Sequence, residues 1–163
     1  MEKLKVYHVG AGGEAVLERI FTQIKDVEEE KHSLDVEGRV IPYHKRAGGL
    51  VWFDFAVLCG GPRSYADYVD LAKRFHTVIL SGVPRMSPRN SDAARRFTWL
   101  VDVFYDDRVK LIIGAEAQPD ELFTGGENAG GETKTVSAEF ARTASRLTEM
   151  QTVQYLQLER AKG

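Results

Sequence analysis

The chain has 163 residues, 43% of them hydrophobic and 28% charged, a composition that suits one soluble globular unit with a sizeable core. Its formal net charge is −2, with acids and bases interspersed, so no strong field draws DNA, RNA or an anionic membrane and nucleic-acid partners are excluded. The lone cysteine, Cys59, rules out an internal disulfide; His8, His32, His44 and His76 lie too far apart for Cys–His metal spacing, and a reducing cytoplasm is the expected compartment.

Residues 1–4 lack the apolar core of a signal peptide, and no apolar run approaches the ~20 residues of a membrane span, so the chain is expected to be neither exported nor inserted. Residues 5–9 predict a short strand, the loop from Gly10 to Gly13 a turn, and Ala15, Val16, Ile20 and Ile24 an amphipathic helix. Residues 25–32, with Glu28-Glu29-Glu30, read as a solvated linker or frayed helix end. Residues 34–41 and 50–58 are strand-like and are expected to pair antiparallel through a connection at 42–49; Gly60-Gly61-Pro62 stops the second of them.

Ser64 and Asp67 stand at capping-box spacing before a helix whose apolar positions are Tyr65, Tyr68, Val69, Ala72 and Phe75. A buried strand over 77–80 follows. A second helix is expected from a cap at Ser91 or Asp92, with Ala93, Phe97, Leu100, Val101 and Phe104 on one stripe, then another strand over 109–113. Helix, strand, helix, strand is the repeating unit of a parallel α/β sheet. Pro119 opens a short helical turn, residues 125–134 read as a glycine-rich surface loop, and Phe140, Ala144, Leu147 and Met150 mark a long helix over 137–160. The expected fold is α/β: a small parallel sheet of two or three strands with an antiparallel pair at one edge, flanking helices and a long C-terminal helix, in one domain over 1–163.

Two glycine clusters resemble nucleotide loops. Gly10-Ala11-Gly12-Gly13-Glu14-Ala15 has the G-x-G-x-x-A spacing of a dinucleotide site, which makes a small stand-alone dinucleotide-binding protein the alternative function. The required second strand ending in an acid about 20 residues on is replaced by a charged run at 26–33. Residues 126–135 imitate a Walker A loop out of register, with Glu132 in the lysine position and Lys134 two residues late. Asp54, Asp67, Asp102 and Glu116 show no acid–base spacing.

A series of phrases resembles one family. They are Phe53-Asp54-Phe55 to Leu58-Cys59, Gly61-Pro62-Arg63-Ser64, Asp67-Tyr68, Phe75-His76-Thr77-Val78 to Val83-Pro84, and Ala94-Arg95-Arg96-Phe97 to Leu100-Val101-Asp102. Phe104-Tyr105-Asp106, Val109-Lys110-Leu111-Ile112, Ala115-Glu116 and Arg142-Thr143 to Glu149-Met150-Gln151 complete the series. Together they look like the C-terminal portion of the ZapE/AFG-like AAA+ ATPases, over about residues 34–158. The resemblance implies ATP and Mg²⁺ in the intact family and a homo-oligomer when intact. It also implies a missing N-terminal ATPase half carrying the Walker A, Walker B and sensor elements, and a cell-division or membrane-protein client. For this chain alone it implies no cofactor and no activity, only lid, subunit or partner contacts. Gly114 departs from the small hydroxyl residue usual in relatives, and the glycine-rich stretch is expanded.

Residues 77–146 also have the layout of an ATPase unit, strand, helix, strand and arginine-bearing element, with Ser81 and Gly82 where the acids would be, as in a degenerate second ATPase-like half. Arg63, Asp67 and His76, with Arg95 and Arg96, are expected either to cross-link local elements or to face the missing half. Arg142 and Arg146 are the candidate trigger arginines. Four residues apart, they share a helix face expected to be solvent-accessible; charge pairing with Glu139 and Glu149 on a solvated face is the alternative to a trigger role.

Overall fold

The computed structural model describes residues 5–10, 12–125 and 131–158. The central sheet contains β1 (Tyr7–Val9), β4 (Lys45–Ala47), β5 (Leu50–Asp54), β6 (Thr77–Val83) and β7 (Lys110–Ala115), in the order β1-β7-β6-β5-β4. β1, β7, β6 and β5 are parallel and β4 is antiparallel to β5. Four parallel strands therefore replace the expected two or three, because the short strand at the start of the chain joins the sheet beside β7.

Alternation along the strands builds two cores. In β6, Val78 and Leu80 pack on one face with Val51, Phe53, Leu111 and Ile113, whereas Ile79 packs on the other with Leu50, Trp52 and Ile112. Both faces are covered, so Val78, Ile79 and Leu80 of β6 are all apolar. The helix α1 (Gly13–Ile24) closes the smaller core with Leu17, Ile20 and Phe21. On the opposite face lie α2 (Phe55–Cys59), α3 (Tyr65–Arg74), α4 (Ser91–Asp106) and α5 (Gly131–Glu149), which contribute Leu58, Tyr68, Leu71, Phe97, Phe104, Phe140 and Leu147.

Several expectations are corrected. Residues 34–41 do not pair with 50–58: β2 (Asp35–Val36) and β3 (Arg39–Val40) form their own small hairpin, while β5 pairs with β4 through a turn at Gly48 and Gly49, where Gly48 has φ 58°. That turn needs a left-handed residue, which glycine supplies. Residues 55–59 are helical, since Asp54 ends the ladder and Phe55, Leu58 and Cys59 bury together. Residues 25–32 are mostly exposed, as expected of a linker, but Glu30 bridges the edge strand at Arg46. Neither Ser91 nor Asp92 caps α4: its N-cap is Asn90, without a side-chain cap bond, and the capping contacts lie in the 3-10 turn Pro88–Asn90 that leads into it, where the Ser87 side chain accepts from the Arg89 amide and the Ser87 amide donates to Asn90 Oδ1.

Helix α5 starts at Gly131, inside the expected loop, because Val136 and Phe140 bury against the main core; residues 126–130 of that loop and of the Walker-like cluster lie outside the described residues. It also stops at Glu149 rather than near 160. Thr152 then caps a short α6 (Val153–Leu156), which brings the buried Tyr155 hydroxyl to 2.7 Å from the Val109 carbonyl and 3.1 Å from that of Phe104. Tertiary hydrogen bonding, not helical periodicity, sets that end.

Candidate functional site

After β1 the chain turns onto the α1 face; after β7, its neighbour, it passes to the α5 face. Such a reversal opens a crevice at the carboxyl ends of the strands, the usual ligand position in open α/β sheets. A cleft of about 520 Å³ occupies it, bordered by Gly10, Gly12–Glu14, Asp54, Ser81–Val83, Arg85 and Gly114–Glu116.

The strand ends determine its chemistry. Asp54 and Ser81 are register partners on β5 and β6; Ser81 Oγ donates to Asp54 Oδ1 at 2.6 Å and accepts from the buried Trp52 Nε1 at 2.9 Å. Gly82 follows with φ 72°, within the register irregularity between Leu80 and Val83. A Walker B strand would offer an acid pair here to hold Mg²⁺ and orient water. In its place is a serine, 7% exposed, committed to a neighbouring carboxylate. Gly114 lies beside the cleft where α1 packs closely: a Cβ on it would come 3.1 Å from Leu17 Cδ1, so a side chain there would press on that helix.

Part of the glycine loop is committed to the sheet. The Gly10 amide donates to the Ala115 carbonyl at 3.0 Å. Helix α1 presents its N-terminus at Gly12 without a side-chain cap, and Glu14 adds a negative charge in its first turn. Among the described lining residues the charged groups are Glu14, Asp54 and Glu116 against Arg85, with no lysine. Three carboxylates against one guanidinium oppose a pyrophosphate. Sequence spacing gave no hint that Asp54, Ser81 and Glu116 converge; the signal was their common position at the ends of parallel strands.

The seven residues singled out beforehand lie elsewhere. Asp67 is buried at the start of α3, accepting from the Ser64 amide at 2.9 Å and from Arg39 Nη2 at 2.7 and 2.8 Å. Its expected return to Ser64 is present; Arg39, on β3, was missed. Arg63 Nε donates to the Val57 carbonyl at 3.0 Å and Arg96 Nη1 to that of Cys59 at 3.1 Å, so two cations satisfy the C-terminal carbonyls of α2. His76 Nδ1 lies 2.8 Å from Thr77 Oγ1 at the opposite end of β6 from the crevice, and Arg95 is half-buried on α4 with contacts of its own.

The arginines of α5 correct a further expectation. Arg146 pairs with Asp102 of α4, its guanidinium 4.9 Å from the Tyr105 ring centroid, and its side chain is only 25% exposed. Arg142 lies 3.7 Å from the same carboxylate and is 59% exposed. Neither Glu139 nor Glu149 is their partner; Glu149 instead accepts from the Tyr105 hydroxyl at 2.6 Å. Packing of α5 on α4, with Thr143 donating to Thr98 at 3.2 Å, brings Asp102 closer than the intrahelical acids.

Comparison with known proteins bears on the family. The family described as AFG1-like ATPase matches residues 2–159. Protein C115.02c of Schizosaccharomyces pombe is 38% identical over 66% of this chain and 24% of its own length. Lactation elevated protein 1 homolog B of Danio rerio is 35% identical over 75% of this chain and 29% of its own. Cell division protein ZapE of Escherichia coli K12 is 41% identical over 67% and 27%. The chain thus spans less than a third of the length of these relatives, and no solved structure matches it. The mixed α/β arrangement with a mostly parallel sheet agrees with a P-loop ATPase-type fold. From the match over residues 2–159, the chain belongs to the AFG1-like ATPase family.

Proposed function

We propose that this chain is the part of an AFG1-like ATPase that lacks the phosphate-binding loop: one α/β unit that supplies lid, subunit or partner contacts and does not hydrolyse ATP by itself. The observation that carries this reading is the crevice, where Ser81 and Gly82 end β6, Asp54 is occupied by Ser81, and no lysine stands among the described lining residues. ATP and Mg²⁺ then belong to a P-loop half elsewhere in the assembly, and a guanidinium from α5, Arg142 or Arg146, stabilises charge on the transferring phosphoryl group. The assembly is a homo-oligomer of the reducing cytoplasm, consistent with a single buried cysteine, and its client is a cell-division or membrane protein, by analogy with the E. coli relative named for cell division.

The test is purified chain with Mg-ATP. The expected result is no phosphate release above background and no saturable binding; tight binding with measurable turnover would overturn the reading. The alternative, a stand-alone dinucleotide binder using the Gly10 to Gly13 loop, predicts saturable NAD(H) binding lost on Gly12→Asp, which the negative collar of the cleft opposes.

A further inference from the structure

We propose that copies of this chain join head to tail, the acidic segment at residues 26–29 of one copy resting on the aromatic and cationic surface of α3 and α4 in the next, an inference that rests on the reading above only in that the chain assembles with itself. The receiving surface lies away from the crevice residues. Helix α4 packs between α3 and α5, and its outward stripe carries the half-buried Trp99. Tyr65, at the start of α3, meets that indole edge-on with ring centroids 6.4 Å apart, and 48% of Tyr65 stays exposed. Arg63 stands two residues before Tyr65 and Arg96 one turn before Trp99; they donate to the Val57 and Cys59 carbonyls, neutral acceptors that do not cancel their charge. Arg142, 59% exposed at the far end of the stripe, adds a third cation, against the single exposed acid Asp92. Aromatic rings set among guanidinium groups carry much of the binding energy at protein interfaces, since they bury large areas beside strong donors.

The same chain carries the complementary surface. Asp26, Val27, Glu28 and Glu29 are exposed in succession after α1, and half of Val27 faces water. Lys25 reaches Glu29 at 4.0 Å and Arg46 reaches Glu30 at 3.3 Å, while among the described residues Asp26 and Glu28 have no partner. The segment is pinned at both ends: the Lys25 amide donates to the Phe21 carbonyl and the Glu30 amide to that of Arg46, so little ordering is left for docking to impose. Val27 lies over the turn between β4 and β5, since a Cβ on Gly48 would come 2.9 Å from its Cγ2. That turn is at the amino ends of the parallel strands, whereas Tyr65 opens the helix reached past the carboxyl end of β5. The two surfaces do not meet within one chain, and a second copy brings them together, with Val27 against Tyr65 and Trp99 and with Asp26 and Glu28 toward the arginines. Two different patches make a heterologous contact, which repeats from copy to copy into a ring or an open chain.

The experiment is sedimentation velocity on the 163-residue chain without nucleotide, so that its outcome is independent of any ATP chemistry. The unaltered chain is expected to gain mass with concentration and to lose it again at about 0.5 M salt, which screens exposed charge pairs. Tyr65→Glu spoils the receiving surface, and Asp26→Ala with Glu28→Ala the docking segment. Each is expected to weaken association at least about tenfold, with the melting temperature little changed because all three side chains are exposed. Mixed in equal amounts, the two variants should form dimers and nothing larger, because one intact pair of surfaces remains. A chain that stays monomeric at every concentration reached overturns the proposal, as does association that these substitutions leave unchanged; in the second case self-assembly stands and only its surfaces are wrong. Association lost in both variants and not restored on mixing also overturns it, since that pattern belongs to a contact between identical patches.

Discussion

At the scale of single residues, the highest-stakes polar group is Asp67. Its side chain is 1% exposed, and its two oxygens serve the Ser64 amide and both contacts from Arg39. Removing one partner of a buried pair leaves the other desolvated, a loss that exceeds what the pair adds to stability. Arg39 is 46% exposed and can rehydrate, which moderates the penalty. Asp67→Asn should therefore destabilise by about 2–3 kcal/mol in urea unfolding, and Arg39→Ala by a similar amount because the carboxylate is then left with one donor. The double variant should cost clearly less than the sum; strict additivity would mean the two side chains do not interact in solution.

At the scale of elements, α2 shows how much a short helix depends on its surroundings. Five residues cannot sustain a helix by propensity. Its carbonyls are taken by Arg63, Arg96, Tyr68 and the Gly60 amide. Gly60 follows so tightly that a Cβ on it would sit 2.7 Å from the Ala56 carbonyl oxygen, whereas one on Gly61 meets nothing within 4 Å. Gly60→Ala should accordingly cost on the order of 1–3 kcal/mol and Gly61→Ala less than about 0.5, as read from chemical-denaturation midpoints. Equal effects at the two sites would show that α2 relaxes freely. The hairpin of β4 and β5 carries the same lesson, since the edge it forms bears Lys45 and Arg46, charges that discourage further strand pairing.

At the scale of the whole molecule, burial of tyrosines and the thiol makes stability sensitive to alkali. Tyr7, Tyr68 and Tyr155 have their hydroxyls pushed above the usual range by burial, and burial drives the Cys59 thiol up to about 12. The ordinary values are 9.0 for the thiol and 10.0 for the phenols, so the unfolded chain releases these protons first. The folded state binds more protons between the ordinary and the raised values, and its stability falls as pH rises. Each such group removes about 1.4 kcal/mol per pH unit once its unfolded form is ionised. The urea midpoint should be flat from about pH 7 to 8.5 and drop steeply above about pH 10, with tyrosinate absorbance appearing together with unfolding. Tyrosinate signal from these three residues in a still-folded protein would contradict the burial argument. The two cores flanking one sheet should unfold together, because Val78, Ile79 and Leu80 belong alternately to both.

Sequence alone determined the central architecture. Period-two and three-to-four-residue spacing are local, so α3, β6, α4 and β7 were legible, as was the capping contact between Ser64 and Asp67 three residues apart. The series of family phrases was equally legible, because it depends on order along the chain. What the tertiary structure decided lies where a partner is distant in sequence. β1 is three residues long and became a parallel strand only by pairing with β7, over a hundred residues away. Residues 55–59 read as strand until the sheet ended at Asp54 and packing turned them into a helix. The crevice was invisible, since Glu14, Asp54, Ser81 and Glu116 share nothing but the end of a sheet at which the chain leaves four elements. The charges of α5 followed the same rule: within the helix, Glu139 and Glu149 are the nearest acids in sequence, but docking on α4 places the Asp102 carboxylate between the two arginines, and proximity in space determines the pair.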